Sequence, residues 1–230
     1  MATLHLIRHG QASFGRSNYD QLSERGWQQS RTLGQWLRHT VQPGRVFSGT
    51  LQRHQETASG LREGFGDDLP EVLTEERLNE FDHEVVIHRY RPEWEDKSVM
   101  ARELGKTADP AKAFQKAFAD AIRRWVSGDY DADYDEPWHA FRKRVLAGLD
   151  SVIEQAAGSK HVLVVTSGGP ITIIMQHLLN LGDREALKLN EVLANASVTR
   201  VLFSGPRRSL AVFNSYEHLE QASPDLVTFR

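Results

Sequence analysis

Arg8-His9-Gly10 closes the short, mostly apolar run from Thr3 to Arg8. Such a run reads as a buried strand followed by a turn. A guanidinium and an imidazole at a strand end have two readings: they satisfy backbone carbonyls, or they meet a ligand. A second constellation, Ser167-Gly168-Gly169-Pro170, follows the apolar run His161 to Thr166. Glycine there permits close backbone approach, and proline suits the first helical position. Ser48 ends a third strand with Arg53 about a helical turn beyond, and Glu80 follows a fourth candidate strand. Ligands of open α/β sheets bind beyond the carboxyl ends of the strands, so normal assembly brings these groups to one rim. The ten histidines, His5 and His9 among them four apart, also raise a metallohydrolase. On a strand, however, that spacing does not make a helix-like metal face. Five acids between Asp129 and Glu136 form a cation site or, by the plainer reading, a solvated loop.

The rest of the chain bounds what these groups can do. The 28 Lys and Arg against 31 Asp and Glu give a formal charge of -3. No basic excess attracts nucleic acid or an anionic membrane, so any anion site is local. Cysteine is absent, which removes disulfides, thiolate metal sites and thiol nucleophiles together. The first ten residues hold no long apolar segment and no basic n-region, and no run approaches the ~18 apolar residues of a membrane span. A cytoplasmic protein is expected, in which the Asn195-Ala196-Ser197 sequon carries no meaning.

The elements that must position the groups follow from periodicity. Ser23 is an N-cap with Glu24 in the first turn of a helix whose apolar face carries Trp27, Leu33, Trp36 and Leu37, broken by Pro43-Gly44. Val46 to Ser48 is a short strand. Gln52 to Arg62 is a second helix, ended by Gly64, Gly66 and Pro70, and Glu71 to Leu73 is an edge strand. The stretch 81–158 is polar, aromatic-rich and largely helical. Phe114, Phe118, Ile122 and Trp125 share one helix face there, and Phe141, Val145, Leu149 and Val152 another. His161 to Thr166 reads as a strand buried on both faces, as in a parallel sheet, with a helix from Ile171 to Leu181. Ala196 to Phe203 and Leu210 to Asn214 form a hairpin-like pair around Gly205-Pro206. The alternation predicts a three-layer α/β/α sandwich with a mostly parallel sheet, in a single domain over 1–230 that carries a helical cap insertion at about 81–158.

The chain resembles the histidine phosphatase superfamily, also called phosphoglycerate mutase-like. The resemblance runs in order through Leu6-Ile7-Arg8-His9-Gly10-Gln11, Leu22-Ser23-Glu24-Arg25-Gly26 with Gln29, and Phe47 to Arg53 with Glu56-Thr57-Ala58. It continues through Leu78-Asn79-Glu80, Phe141 to Val145, Val164 to Gly169, Asn195 to Thr199 and Phe213 to Leu219. It implies that His9 attacks a phosphoryl group to form a phosphohistidine that water then hydrolyses. Arg8 and Arg53, with Ser167 and Gly168, would bind the phosphate, and both guanidiniums would hold His9 neutral. Glu80 would protonate the leaving alcohol and then deprotonate water. No metal and no cofactor are needed, because the arginines supply the positive charge.

Two departures from the family pattern qualify this. Ser167 stands where the family usually has a second histidine; it can donate a hydrogen bond but carries no charge. His54, His83 and Ser13 are the auxiliary candidates. The alternatives are a slow enzyme and a phosphate- or partner-binding pseudoenzyme. Gln11 and Ala12 replace the usual acid and hydroxyl residue, which favours a phosphatase over a mutase. The implied partners are a small-molecule or peptide phosphomonoester and inorganic phosphate, with no nucleic acid, no membrane and a homodimer left open. Arg89, Arg91, Lys97 and Arg102 could hold a second anionic group, and Trp94 and Trp138 could pack on a substrate, although core packing is the plainer reading for both tryptophans.

Overall fold

Six strands form one sheet: β1 (Ala2–Arg8), β2 (Arg45–Ser48), β3 (Val72–Thr74), β4 (His161–Thr166), β5 (Val198–Ser204) and β6 (Arg207–Ser215), in the order β3-β2-β4-β1-β5-β6. The computed structural model from which this is read describes residues 1–13 and 20–229. β1, β2, β3 and β4 are mutually parallel; at one side β5 runs antiparallel to β1, and β6 runs antiparallel to β5. The register matters for chemistry. Arg8 lies level with Thr166, and Ser48 with Val165, so β1, β4 and β2 end in step. The loops after them therefore leave the sheet along one edge.

The helices are α1 (Glu24–Thr40), α2 (Gln52–Phe65), α3 (His83–Tyr90), α4 (Lys97–Leu104), α5 (Pro110–Ser127), α6 (Trp138–Gln155), α7 (Gly168–Leu179), α8 (Asp183–Glu191) and α9 (Glu217–Ala222). As expected, Ser23 caps α1, its hydroxyl accepting from the Gly26 amide, with Glu24 in the first turn. Leu33, Leu37, Ala58, Leu61 and Phe65 from α1 and α2 pack with Ile7, Val46, Leu163 and Val165 from the sheet. Each such fully buried Leu, Ile, Val or Phe side chain contributes about 1.5–3 kcal/mol. The alternate residues Leu4, Leu6, Val162 and Val164, also buried, point to the opposite face.

Two expected boundaries are corrected. α2 runs through Gly64 to Phe65 rather than stopping near Arg62. Gly64 is a contact point, not a breaker: a Cβ there would lie 2.0 Å from the Arg31 carbonyl oxygen of α1, so glycine lets the two helices touch. α7 begins at Gly168, not Ile171, and ends at Leu179. Pro170 is therefore its third residue, which is tolerated because the first four amides of a helix have no intrahelical acceptor.

The chain divides into two compact units, residues 1–80 with 144–230, and residues 81–143. The second is organised around aromatics. Trp125 meets Phe81, Trp138 and Phe141 at ring-centre distances of 4.7, 5.1 and 5.6 Å. Trp94 and Trp138 are core residues. Arg91 is held by Glu93 and Glu103. In the acidic segment Asp133 pairs with Arg124, and Asp131 with His139 at 3.0 Å.

Candidate active site

His9 follows the last residue of β1, where its backbone is pinned from two sides. Its amide donates to Thr166 O at 2.8 Å, and its carbonyl accepts from the Ala196 amide at 3.2 Å and from Asn195 Nδ2 at 3.3 Å. The ring is buried, and Nδ1 lies 2.7 Å from the carbonyl oxygen of Gly10. A carbonyl can only accept, so Nδ1 carries the proton and Nε2 presents a lone pair. Burial, then the guanidiniums of Arg53 and Arg8, then the His54 ring hold His9 well below the usual imidazole range, against the opposing Gly10 bond. The ring is neutral at physiological pH, with its basic nitrogen turned away from Gly10.

Arg8 closes β1 and donates to the carbonyl oxygens of Leu193 and, at 3.2 Å, Phe229. Gly168 lies next to it: a Cβ on Gly168 would stand 2.3 Å from Asn190 Oδ1 and 3.9 Å from Arg8 Nε. Arg53, in the first turn of α2, is buried and ion-paired with Asp20, whose other oxygen accepts from the Gln52 amide at 2.8 Å. Thr57, one turn along, donates to Arg53 O at 2.7 Å and accepts from the Gly10 amide at 3.0 Å, tying α2 to the loop after β1. Glu80 is half-buried, and its Oε2 accepts from the Gly169 amide at 3.0 Å, in the first turn of α7. Positive helix-end potential and a backbone donor thus meet that carboxylate.

Ser167 ends the loop after β4 and is fully buried, with its Oγ 2.6 Å from Nε2 of His54. The rings of His54 and His9 are 5.8 Å apart and tilted by 42°. Arg8, His9, Arg53, His54, Ser167, Gly168 and Glu80 therefore come together in the first unit, around the carboxyl ends of β1, β2 and β4. Ser13 is buried, and its amide donates to Gln21 O at 2.8 Å. His83 opens α3 in the second unit. His5 turns to His161, with 3.2 Å between ring nitrogens.

Several contributors have no assigned role in the sequence. Asp20 is one; its only signal is an acid just before the Leu22-Ser23 segment. Asn195, read as a sequon, is buried and holds the His9 carbonyl. Gln29 accepts from the Gln11 amide at 2.8 Å and donates to Leu226 O at 2.6 Å. With two cationic forks beside a neutral imidazole and a carboxylate at a helix start, the arrangement suits an oxyanion that accepts an electron pair.

Residues 4–215 match the family model described as the histidine phosphatase superfamily, branch 1. No curated protein matches the sequence. Among solved structures, phosphoglycerate mutase from Bacillus anthracis is similar at 20% identity and TM-score 0.67, over 96% of each chain. A phosphoserine phosphatase mutant from Entamoeba histolytica, in complex with phosphoserine, shares 21% identity at TM-score 0.66, over 95% of this chain and all of that one. A putative alpha-ribazole-5'-P phosphatase from Escherichia coli shares 19% at TM-score 0.64, over 94% and 98%.

Proposed function

Because the chain belongs to the histidine phosphatase superfamily, we propose that it is a phosphatase acting on a phosphomonoester through a phosphohistidine at His9. The observation that carries the proposal is the Nδ1 bond of His9 to Gly10 O beside two arginines, which leaves a neutral nucleophile facing a cationic surround. In the first step the Nε2 lone pair forms the N–P bond as the P–O bond to the alcohol breaks, and Glu80 gives its proton to the departing oxygen. In the second, Glu80 takes a proton from water as the water oxygen attacks phosphorus. The N–P bond breaks, and inorganic phosphate leaves with His9 neutral again. Arg8 and Arg53, with the Ser167 side chain and Gly168, bind the phosphoryl oxygens. Their charge replaces that of a metal ion.

The substrate class we propose is a small phosphorylated metabolite, in keeping with the phosphoserine held by one structure of this fold. Turnover by the wild type and His9→Ala over a panel of phosphorylated metabolites and phosphopeptides tests the reading. A drop of about 10³-fold or more in the variant is expected, on the scale of losing a nucleophile. Full activity in His9→Ala, or phosphate binding with no turnover of any panel member by the wild type, overturns it.

A further inference from the structure

Ser167 occupies the N-cap of α7, with an extended backbone, yet its side chain makes no capping bond. A serine at that position normally accepts from a helix amide, worth about 1 kcal/mol. Here the hydroxyl is committed to Nε2 of His54, 2.6 Å away. Neither side chain has exposed surface. Room for the imidazole is kept by the backbone itself: a Cβ on Gly49 would fall 2.2 Å from His54 Nδ1 and 2.6 Å from Asn79 Oδ1.

The proton on the pair is placed by its surroundings. Asn79 is oriented by Thr50, whose amide donates to Oδ1 at 2.7 Å and whose hydroxyl oxygen accepts from Nδ2 at 2.7 Å. Nδ1 of His54 makes no well-formed hydrogen bond, but the Asn79 oxygen lies on that side of the ring and favours a proton there. Nε2 is then the acceptor of the Ser167 O–H. Among the described residues, the charged and titratable groups facing His54 are Arg53 on its own helix and His9 after β1; Asn79, before Glu80, and Ser167, at the start of α7, are neutral. Burial and the Arg53 guanidinium keep the His54 ring uncharged. While it is uncharged, the Ser167 proton points at His54 and cannot serve a ligand.

We propose that His54 and Ser167 are a proton-sharing pair, in which His54 is a positioning residue that turns the Ser167 hydroxyl toward the phosphoryl group by taking up a proton when phosphate binds. This rests on the phosphatase reading of the site. A phosphate monoanion brings the proton required. Its P–O–H proton passes to Ser167 Oγ as the hydroxyl's own proton passes to His54 Nε2. The products are a phosphoryl dianion accepting from Ser167 and an imidazolium at position 54, with the total charge unchanged. A third cation, beside Arg8 and Arg53, thus forms only when an anion is present to offset it.

Ring ¹⁵N NMR of the full chain tests this with inorganic phosphate as the probe. Without phosphate, His54 shows the shifts of a neutral ring across neutral pH. With saturating phosphate it becomes an imidazolium in the wild type and stays neutral in Ser167→Ala. Kinetically, Ser167→Ala and His54→Gln each lower kcat by about 10²-fold, the scale of one lost transition-state donor, with KM little changed. The double variant falls no further than either single one, because the two act as a unit. Phosphate that shifts the His9 ring but leaves His54 neutral overturns the pair while leaving the phosphatase reading intact. Phosphate that shifts neither ring overturns both. Multiplying losses in the double variant also overturn the pair. Ser167→Ala removes one oxygen and carries the test alone where His54→Gln does not fold.

Discussion

The His9 imidazole donates through Nδ1 to the carbonyl oxygen of the adjacent Gly10, 2.7 Å away. That bond selects the tautomer and hence which nitrogen is nucleophilic. The trapped phosphoenzyme should carry its phosphoryl group on Nε2, stable in alkali and lost in acid. Phosphorus–nitrogen couplings in ¹⁵N-labelled protein distinguish the two isomers, and an Nδ1 adduct contradicts the arrangement.

Glu80 Oε2 accepts from the Gly169 amide at the start of α7. As an acid and base it matters in proportion to the leaving group's need for a proton. Glu80→Gln should lower kcat/KM for an alkyl phosphate by about 10²–10³-fold, within the usual range for general catalysis. It should slow the release of an acidic phenol such as p-nitrophenol far less. Equal losses on both substrates would mark the residue as structural.

Four buried histidines set a pH dependence of stability. His5 and His218 are lowered to about 4, chiefly by burial, and His9 and His54 are lowered as well. A histidine depressed in the native state binds its proton in the unfolded chain first. Stability is therefore full above the ordinary value of 6.5 and declines as pH falls from there toward about 4 for His5 and His218. Each contributes a slope of up to about 1.4 kcal/mol per pH unit in that window. Urea midpoints should fall from pH 7 to pH 5. His218→Phe, keeping the stack on Trp36, should flatten the curve by about one histidine's slope.

The α1–α2 seam should not accept a methyl group at Gly64, since the nearest atom is rigid main chain on Arg31. Gly64→Ala should destabilise by about 1–3 kcal/mol, the usual cost of overpacking. A thermal melt in which the variant matches or exceeds the wild type would contradict the close approach.

Much of this architecture is legible in residue order, for local reasons. β4 is an unbroken apolar run, and Ser23 with Glu24 marks the start of α1. Gly205-Pro206 marks the β5–β6 turn, where Gly205 has φ of 55°. Arg8, His9 and Arg53 are recognisable because they sit in motifs, and the rim follows from strand parity. What could not be read depends on closure in space. Gly64 has the composition of a helix end and the role of a helix contact. Pro170 suggests a later start for α7 because nothing local shows that Ser167 precedes the first turn. His54 and Ser167 are 113 positions apart, so their bond has no local signature. Asp20 and Asn195 gain meaning only once Arg53 and the His9 carbonyl are beside them.

β1 lies between β4 and β5, so both of its edges wait for strands made much later. At about 5–20 residues per second, ribosomal synthesis takes roughly 10–30 s to reach His161 after β1 has been made. For that interval β1 has neither of its sheet neighbours. Arg8 waits longer still, because one of its acceptors is the carbonyl of Phe229. The pocket's electrostatics can mature only after nearly the whole of this sequence has been translated.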